Sequence, residues 1–474
     1  MKIYSCIILS LLHISISNAQ IHSSQPAGGG EHLFQNNGQC VSPLKRAEIK
    51  TTLNQNRTTL YKTGQLQNNT RSSVKYEWPL RQASGFNYNN YYGISNYVDH
   101  NANVPNLLSD YNCGDRTYDL ASGYNHKGTD IYLWPFKWHM YQNNQVEVIA
   151  AAAGIIVGKD DGNTDTNCDF SNPNWNAVYI QHSDNSTTWY GHLKNGSLTS
   201  KSVGAAVAQG EYLGTVASSG SSTGPHLHFE VYDTLGNLVD PYSGTCNNMN
   251  SNSIWNNQPS YYQSRINTIM THFAAPQFNT CPMPATVNDT NCFSPNSTIY
   301  FAAYFQDQLT NQTAQYKVLE PNGTVFSSWN QSPSQYYSSS YWYWNRFLNS
   351  SAPLGQWTYQ VVFEGDTIQH HFDVVNNCAT IVSAPQALEK KERELNLFPN
   401  PANTQITIQS NQDFDIIDQI KVTNIAGQTV LNHKNIYGDG NNIVLDISVL
   451  QEGLYFLEIR EKEQQYQKKF LVVH

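Results

Sequence analysis

Charge is scarce in this sequence: only 13% of its 474 residues are Asp, Glu, Lys or Arg, and the net charge is −9. An acidic chain with 27 basic residues and no basic stripe lacks the electrostatic footprint of a nucleic-acid binder, so no nucleic acid is expected. It also lacks a polybasic membrane patch. Long apolar runs are missing as well. Nothing beyond the first twenty residues approaches the roughly eighteen consecutive apolar residues of a membrane-crossing helix, so no transmembrane span is expected. No cysteine pair has the C-x-x-C spacing of a zinc ribbon. No H-E-x-x-H occurs, which excludes the helical zinc site with a glutamate base. Few stretches repeat Leu, Ala and Glu at a helical period.

What remains is rich in the residues of strands and turns: 30 Tyr, 10 Trp and 29 Gly, with Asn, Ser and Thr throughout. A mainly β, extracytoplasmic protein of about two to four domains is expected. The N-terminus has a basic Lys2, an apolar core from Ile7 to Ile16 and the small-residue site Ser17-x-Ala19, so 1–19 reads as a signal peptide. Setting aside Cys6 within it, the eight cysteines leave Cys40, Cys113, Cys168, Cys246, Cys281, Cys292 and Cys378. Disulfides are their default use in an exported chain. Pairs Cys113–Cys168 and Cys292–Cys378 are expected because each falls within one proposed domain, with one thiol left over.

Residues 20–75 are polar and read as a leader or loosely packed segment, with a short helix near Leu44–Leu53. From 76 to 245, runs such as "NAVYIQHSD", "TTWYGHL" and "HLHFEVYD" alternate with turns, the pattern of an antiparallel β-sheet domain. A connector at 246–284 leads to 285–378, where roughly seven alternating strands suit an immunoglobulin-like β-sandwich. The charged, Pro-bearing 379–393 is a linker. The tail, 394–474, reads as another small β-sandwich, with "FPNPA", "NIAGQTV" and "GLYFLEI" followed by "KKFLVV". At those residues it resembles the C-terminal sorting domain of the type IX secretion system of Bacteroidetes-type bacteria. The resemblance implies that the type IX machinery is a partner, with export across the outer membrane to the cell surface or medium.

The chemistry concentrates at three places. In "GPHLHFEV", His226 and His228 alternate on a strand and so project to one side of the sheet. In "NHKGTDIYLW", His126 and Asp130 are four apart where a helix is improbable. Four strand residues span roughly 13 Å, too far for both side chains to reach one ion at roughly 2 Å each. The chain must bend between them, and Gly128 is expected to allow it. In "TWYGHLKNG", His192 closes an aromatic strand. Two imidazoles plus one carboxylate, with further histidines nearby, are the ligand chemistry of catalytic zinc with a position open for water.

These three motifs, in this order, resemble the lysostaphin-like zinc metallopeptidases, the group that includes the β-lytic enzymes. "GTDI", "AAAAGIIVG", "YGHL" and "GSSTGPHLHFEV" resemble their framework. The resemblance implies one zinc ion held by His126, Asp130 and His228, with His192 and His226 as catalytic histidines whose proton-transfer roles stay interchangeable. It also implies hydrolysis of peptide bonds in peptidoglycan stem peptides or cross-bridges.

Other features read as structural. "GSSTG" fits a serine nucleophile elbow, but Ser222 is followed by Pro225 and a strand instead of a helix. His182 is expected to cap a strand end, and neighbours His370 and His371 face opposite ways. The aromatics Trp134, Phe136, Trp138 and Tyr141 around His139 could line a groove or pack. The rival to an exported zinc endopeptidase is a wall- or polymer-binding surface protein whose metal is structural. A general protease on Gly-rich proteins is a third reading.

Overall fold

Eight strands make the sheet that carries the site: β1 Tyr92–Asn96, β2 Thr129–Leu133, β3 Gly154–Asp160, β4 Ala177–His182, β5 Thr187–Gly191, β6 Ala206–Val207, β7 His226–Tyr232 and β8 Leu238–Val239. Their order is β6-β3-β4-β5-β7-β2-β1, with β8 beside β7, and the pairings are antiparallel. The computed structural model describes residues 24–31, 38–67, 73–378 and most of 395–473. The expected signal peptide, 1–19, and the expected linker, 379–393, lie outside the described residues.

Both faces of the sheet are covered, which is why its central strands read as continuous apolar runs in place of clean alternation. Val178 and Ile180 of β4 and Leu227, Phe229 and Val231 of β7 enter one core. A small three-stranded sheet, Tyr212–Thr215, Val146–Ile149 and Leu80–Gln82, contributes Leu213, Val146, Val148 and Leu80 to that core. Ala177, Tyr179, Trp189 and Tyr232 point the other way, into a second core shared with helix α1, Pro43–Lys62.

Helix α1 occupies the segment expected to be loosely packed and is 20 residues long, well beyond Leu44–Leu53. Ser42 caps it by accepting from the Lys45 amide, and Pro43 pre-sets the first turn. Arg46, Ile49, Leu53 and Leu60 form its buried stripe. Only three of these are apolar, so the helical period is faint in the sequence.

The sandwich follows. Seven strands lie between 285 and 378. Two more join from outside that range: Arg265–His272 pairs with Thr298–Gln308, and Gly28–Glu31 pairs with Tyr337–Phe347. Trp344, Trp357, Phe301 and Tyr359 fill the space between its sheets. Trp134 and Phe136 stack on Phe278, and the Trp134 indole donates to the Phe305 carbonyl at 3.0 Å. Both are buried packing between the eight-stranded sheet and the sandwich and line no groove.

Three disulfides are present: Cys113–Cys246, Cys168–Cys281 and Cys292–Cys378. The expected Cys113–Cys168 pair does not form, because closeness in sequence was taken for closeness in space. The loop carrying Cys113 lies against the end of the domain, where the Cys246 amide donates to the Tyr111 carbonyl at 3.0 Å. Cys40 is the free, buried thiol.

The residues from Ser383 form a separate unit. There a three-stranded and a four-stranded sheet enclose a core that includes Ile406, Ile420, Val422 and Leu457. Among the described residues, no helix is long and apolar enough to cross a membrane.

Candidate metal centre

In β7 the side chains of His226, His228, Glu230 and Tyr232 leave the sheet on the α1 side, opposite the core that takes Leu227, Phe229 and Val231. The register puts Asp130 of β2 directly across from His228 on one flank and Gly191 of β5 on the other. His126 precedes β2, after the small hairpin Asp119–Leu120/Tyr124–Asn125. His192 follows Gly191 at φ +63, the left-handed region that non-glycine residues rarely adopt. All five residues singled out in the sequence therefore meet at one place.

Gly128 has a different role from the one expected. It is absent from the glycines at positive φ; instead, a Cβ there would sit 2.8 Å from the His228 ring and from the Phe229 carbonyl oxygen. Close approach, not a special bend, requires it. Gly191 is similar: a Cβ would lie 2.1 Å from the ring of Trp175, which packs edge-on against His192.

The hydrogen bonds fix which nitrogen of each ring carries a proton, because carbonyl and carboxylate oxygens only accept. Nδ1–H of His126 donates to the Tyr97 carbonyl at 2.8 Å, and that of His192 to the Ser219 carbonyl at 2.5 Å. Nδ1–H of His226 donates to the Gly224 carbonyl at 2.8 Å. His228 meets a carboxylate on each side, Nε2 2.7 Å from Glu230 and Nδ1 2.7 Å from Asp130, so without an ion both of its nitrogens carry protons. The remaining nitrogens turn inward. His126 Nε2 is 3.0 Å, His228 Nδ1 2.7 Å and His226 Nε2 3.7 Å from Asp130 oxygens. His192 Nε2 lies 2.8 Å from Cys40 Sγ. The His126 nitrogen, though close to the carboxylate, makes no hydrogen bond and is buried.

The inward lone pairs of His126, His192 and His226 around one carboxylate call for a cation or protons among them, and the Nδ1 proton of His228 answers part of that demand. The charge balance reflects that demand. Burial would raise the Asp130 carboxyl, but His126 and His228 hold it well below the usual carboxylate range. Burial works against charge on His228 too, and the neighbouring Cys40 and Asp130 carry it well above the usual histidine range. Burial, then the nearby His226 and His228, hold His192 well below that range, while burial lowers His226 against the pull of Asp130. The inward atoms of His126, Asp130 and His228 all lie within 4.8 Å of one another, as do those of Cys40, His192 and His228. Ligands on one zinc ion sit roughly 3.4 Å apart, so the donor set suits such an ion.

Several neighbours went unread in the sequence. Glu230 bonds His228 and is itself gripped by Arg46 of α1, the second guanidinium nitrogen at 2.8 Å, and by the Tyr232 hydroxyl at 2.6 Å. Burial opposes its charge, and Arg46 and His228 more than restore it. Its place two residues after His228 on one strand face was a usable signal. Asn96 donates to Asp130 at 3.0 Å. His126, His192 and His228 are fully buried, while His226 is 16% exposed beside a small cleft lined by Ser95, Tyr132, Lys137 and Thr223.

The features read as structural have structural partners. His182 bonds the Ala153 carbonyl and Thr188, both at 2.9 Å. Ser222 is buried, 2.7 Å from Ser218 and bonded to the Gly224 carbonyl. His370 meets Thr271 and His371 meets Thr358.

Residues 124–241 match the family described as Peptidase family M23, and residues 396–473 match the Secretion system C-terminal sorting domain. The chain is 44% identical over 57 residues to Peptidoglycan DD-endopeptidase ShyC of Vibrio cholerae, covering 12% of each chain. It is 46% identical over 68 residues to DD-carboxypeptidase/endopeptidase Mpg of Neisseria meningitidis, covering 14% of this chain and 15% of that one. The matches thus span under a sixth of either relative. Among solved structures, the catalytic domain of lysostaphin from Staphylococcus simulans is similar at 25% identity and a TM-score of 0.19, over 26% of this chain and 83% of that one. The chain thus carries an M23 peptidase domain and a C-terminal sorting domain, as the motifs led one to expect.

Proposed function

We propose that this protein is an exported zinc metalloendopeptidase that hydrolyses peptide bonds in peptidoglycan stem peptides or cross-bridges. His126 Nε2, an Asp130 oxygen and His228 Nδ1 hold the ion, which takes the place of the His228 Nδ1 proton; the carrying observation is that these donors converge while each ring's outer N–H is already committed. Zinc bound there supplies Lewis acidity and brings water's pKa towards neutrality.

The chain's own residues do the rest. His192 and His226, with ring centroids 4.3 Å apart, each keep Nδ1–H on a backbone carbonyl and present Nε2 inward. One takes the proton of the attacking water at Nε2; the other, once it carries a proton on Nε2, donates to the developing oxyanion or to the leaving amine. Asn96 orients Asp130, and Glu230 fixes the His228 tautomer. The peptidoglycan substrate rests on the two relatives, whose names state endopeptidase activity. The tail at 396–473 supports type IX export, which places the product beyond the outer membrane. Other cells' walls, or wall debris, are then its targets.

The test is mass spectrometry of fragments released from defined peptidoglycans. New peptide termini should form, stop with a zinc chelator and return with added zinc. Cleavage that resists the chelator would contradict the reading.

A further inference from the structure

The segment matched to the peptidase family begins at 124, yet a side chain from far upstream enters the cluster. We propose that Cys40 is an additional thiolate ligand of the metal, and that residues 38–67 thereby plug the open position and hold the enzyme inactive. The inference rests on the zinc reading above.

Cys40 Sγ lies 2.8 Å from His192 Nε2, and with His192 and His228 it forms a second group whose donor atoms all fall within 4.8 Å. It shares His228 with the group of His126 and Asp130, so the two groups adjoin. Cys40 is 5% exposed and remains a thiol while six other cysteines are paired. A soft sulfur among imidazoles is a zinc donor set. The second inward donor is the buried Nε2 of His126, which has no hydrogen-bond partner.

The rest of the segment holds the thiol there. Two residues after Cys40, Ser42 caps α1, so the helix start fixes the approach. Before it, Gly38 passes so near Phe170 that a Cβ would sit 2.0 Å from that ring. Within α1, Arg46 grips Glu230, the carboxylate that holds His228, so one short segment touches the cluster from inside and from behind. The apolar stripe of α1 is buried against the sheet, but the helix also borders open space. A cleft of about 400 Å³ runs between it and the sheet, lined by Lys50, Asn54, Arg57 and Tyr61 of α1. A lining so polar suits a segment that can leave. Release is ligand exchange without oxidant or reductant: the sulfur–metal bond breaks, solvent takes the position, and the thiolate gains one proton.

The experiment uses the full chain, with a site-specific protease sequence inserted after Gly64, an exposed turn with open space around it. Zinc-edge X-ray absorption should show one sulfur at about 2.3 Å. That signal should vanish in Cys40→Ser and after the engineered cut, with zinc retained. Thiol-reagent labelling of Cys40 should be blocked in the zinc-loaded intact chain and become complete after the cut. Wall hydrolysis should rise about tenfold or more on cutting, the factor by which a site open in one molecule in ten is held back. Zinc bound with no sulfur in its shell overturns the ligand while leaving the zinc reading intact. Sulfur present but no gain on cutting overturns the plug. No zinc bound by either form would instead defeat the functional reading beneath.

Discussion

At the scale of single residues, the proposed function gives the ion to His126, Asp130 and His228 and the protons to His192 and His226. His192→Ala and His226→Ala should each retain zinc and lose about 10²–10⁴-fold in rate; zinc analysis beside wall hydrolysis checks this, and loss of zinc from either would move that residue into the ligand set. Glu230→Gln should weaken zinc about 10–100-fold in competition with a chromophoric chelator, because His228 loses a charged acceptor for its Nε2–H. Unchanged affinity would show that the carboxylate serves only Arg46. The convergence of the five residues was legible because His226 and His228 stand two apart on one strand and His126 and Asp130 four apart at its neighbour. Glu230 and Cys40 were not. Glu230 looked like an ordinary strand carboxylate, and an odd cysteine count reveals a spare thiol without its location. Gly128 was noticed for the wrong reason: sequence shows that a side chain is missing, while only packing shows that the His228 ring occupies its place.

At the scale of elements, α1 should be the first part of the sheet assembly to open, since its attachment is partly polar, through Arg46, Asn56 and Arg57. Hydrogen exchange should show its amides opening before those of β7. Leu53→Ala should lower the free energy of that opening by about 2–5 kcal/mol, leaving β7 unchanged. Equal effects on both would make α1 an integral part of the domain. The helix was poorly visible because Arg46 takes one of its four buried positions. The sandwich carries its own pH signature. Burial pushes His272 down to about 4, and it is neutral: Nδ1–H donates to Val287 and Nε2 accepts from the Tyr304 hydroxyl. Its pKa is lower folded than unfolded, so stability is undiminished above the unfolded value of about 6.5 and falls as the pH drops towards 4. The shift corresponds to roughly 3 kcal/mol. Denaturant midpoints at pH 7 and pH 4.5 should differ in wild type and differ less in His272→Gln; equal differences would remove His272 as a cause.

At the scale of the whole molecule, the separate tail unit predicts that a chain ending at Val382 keeps its zinc and its hydrolytic rate. Loss of either would mean that the tail supports the site. The two family-matched segments, 124–241 and 396–473, were readable from their motifs. The long-range ties were not: Cys168 to Cys281, and Gly28–Glu31 to the sandwich strand Tyr337–Phe347, join segments with no local pattern linking them.

Everything depends on one ion gripped by His126, Asp130 and His228. The direct measurement is zinc stoichiometry after exhaustive dialysis of wild type and of Asp130→Ala, with circular dichroism confirming the fold, each with Cys40→Ser so that no thiolate compensates. One zinc per chain in the Asp130-bearing protein and essentially none in the variant is the predicted result. Equal zinc in both, with equal wall hydrolysis, would contradict it.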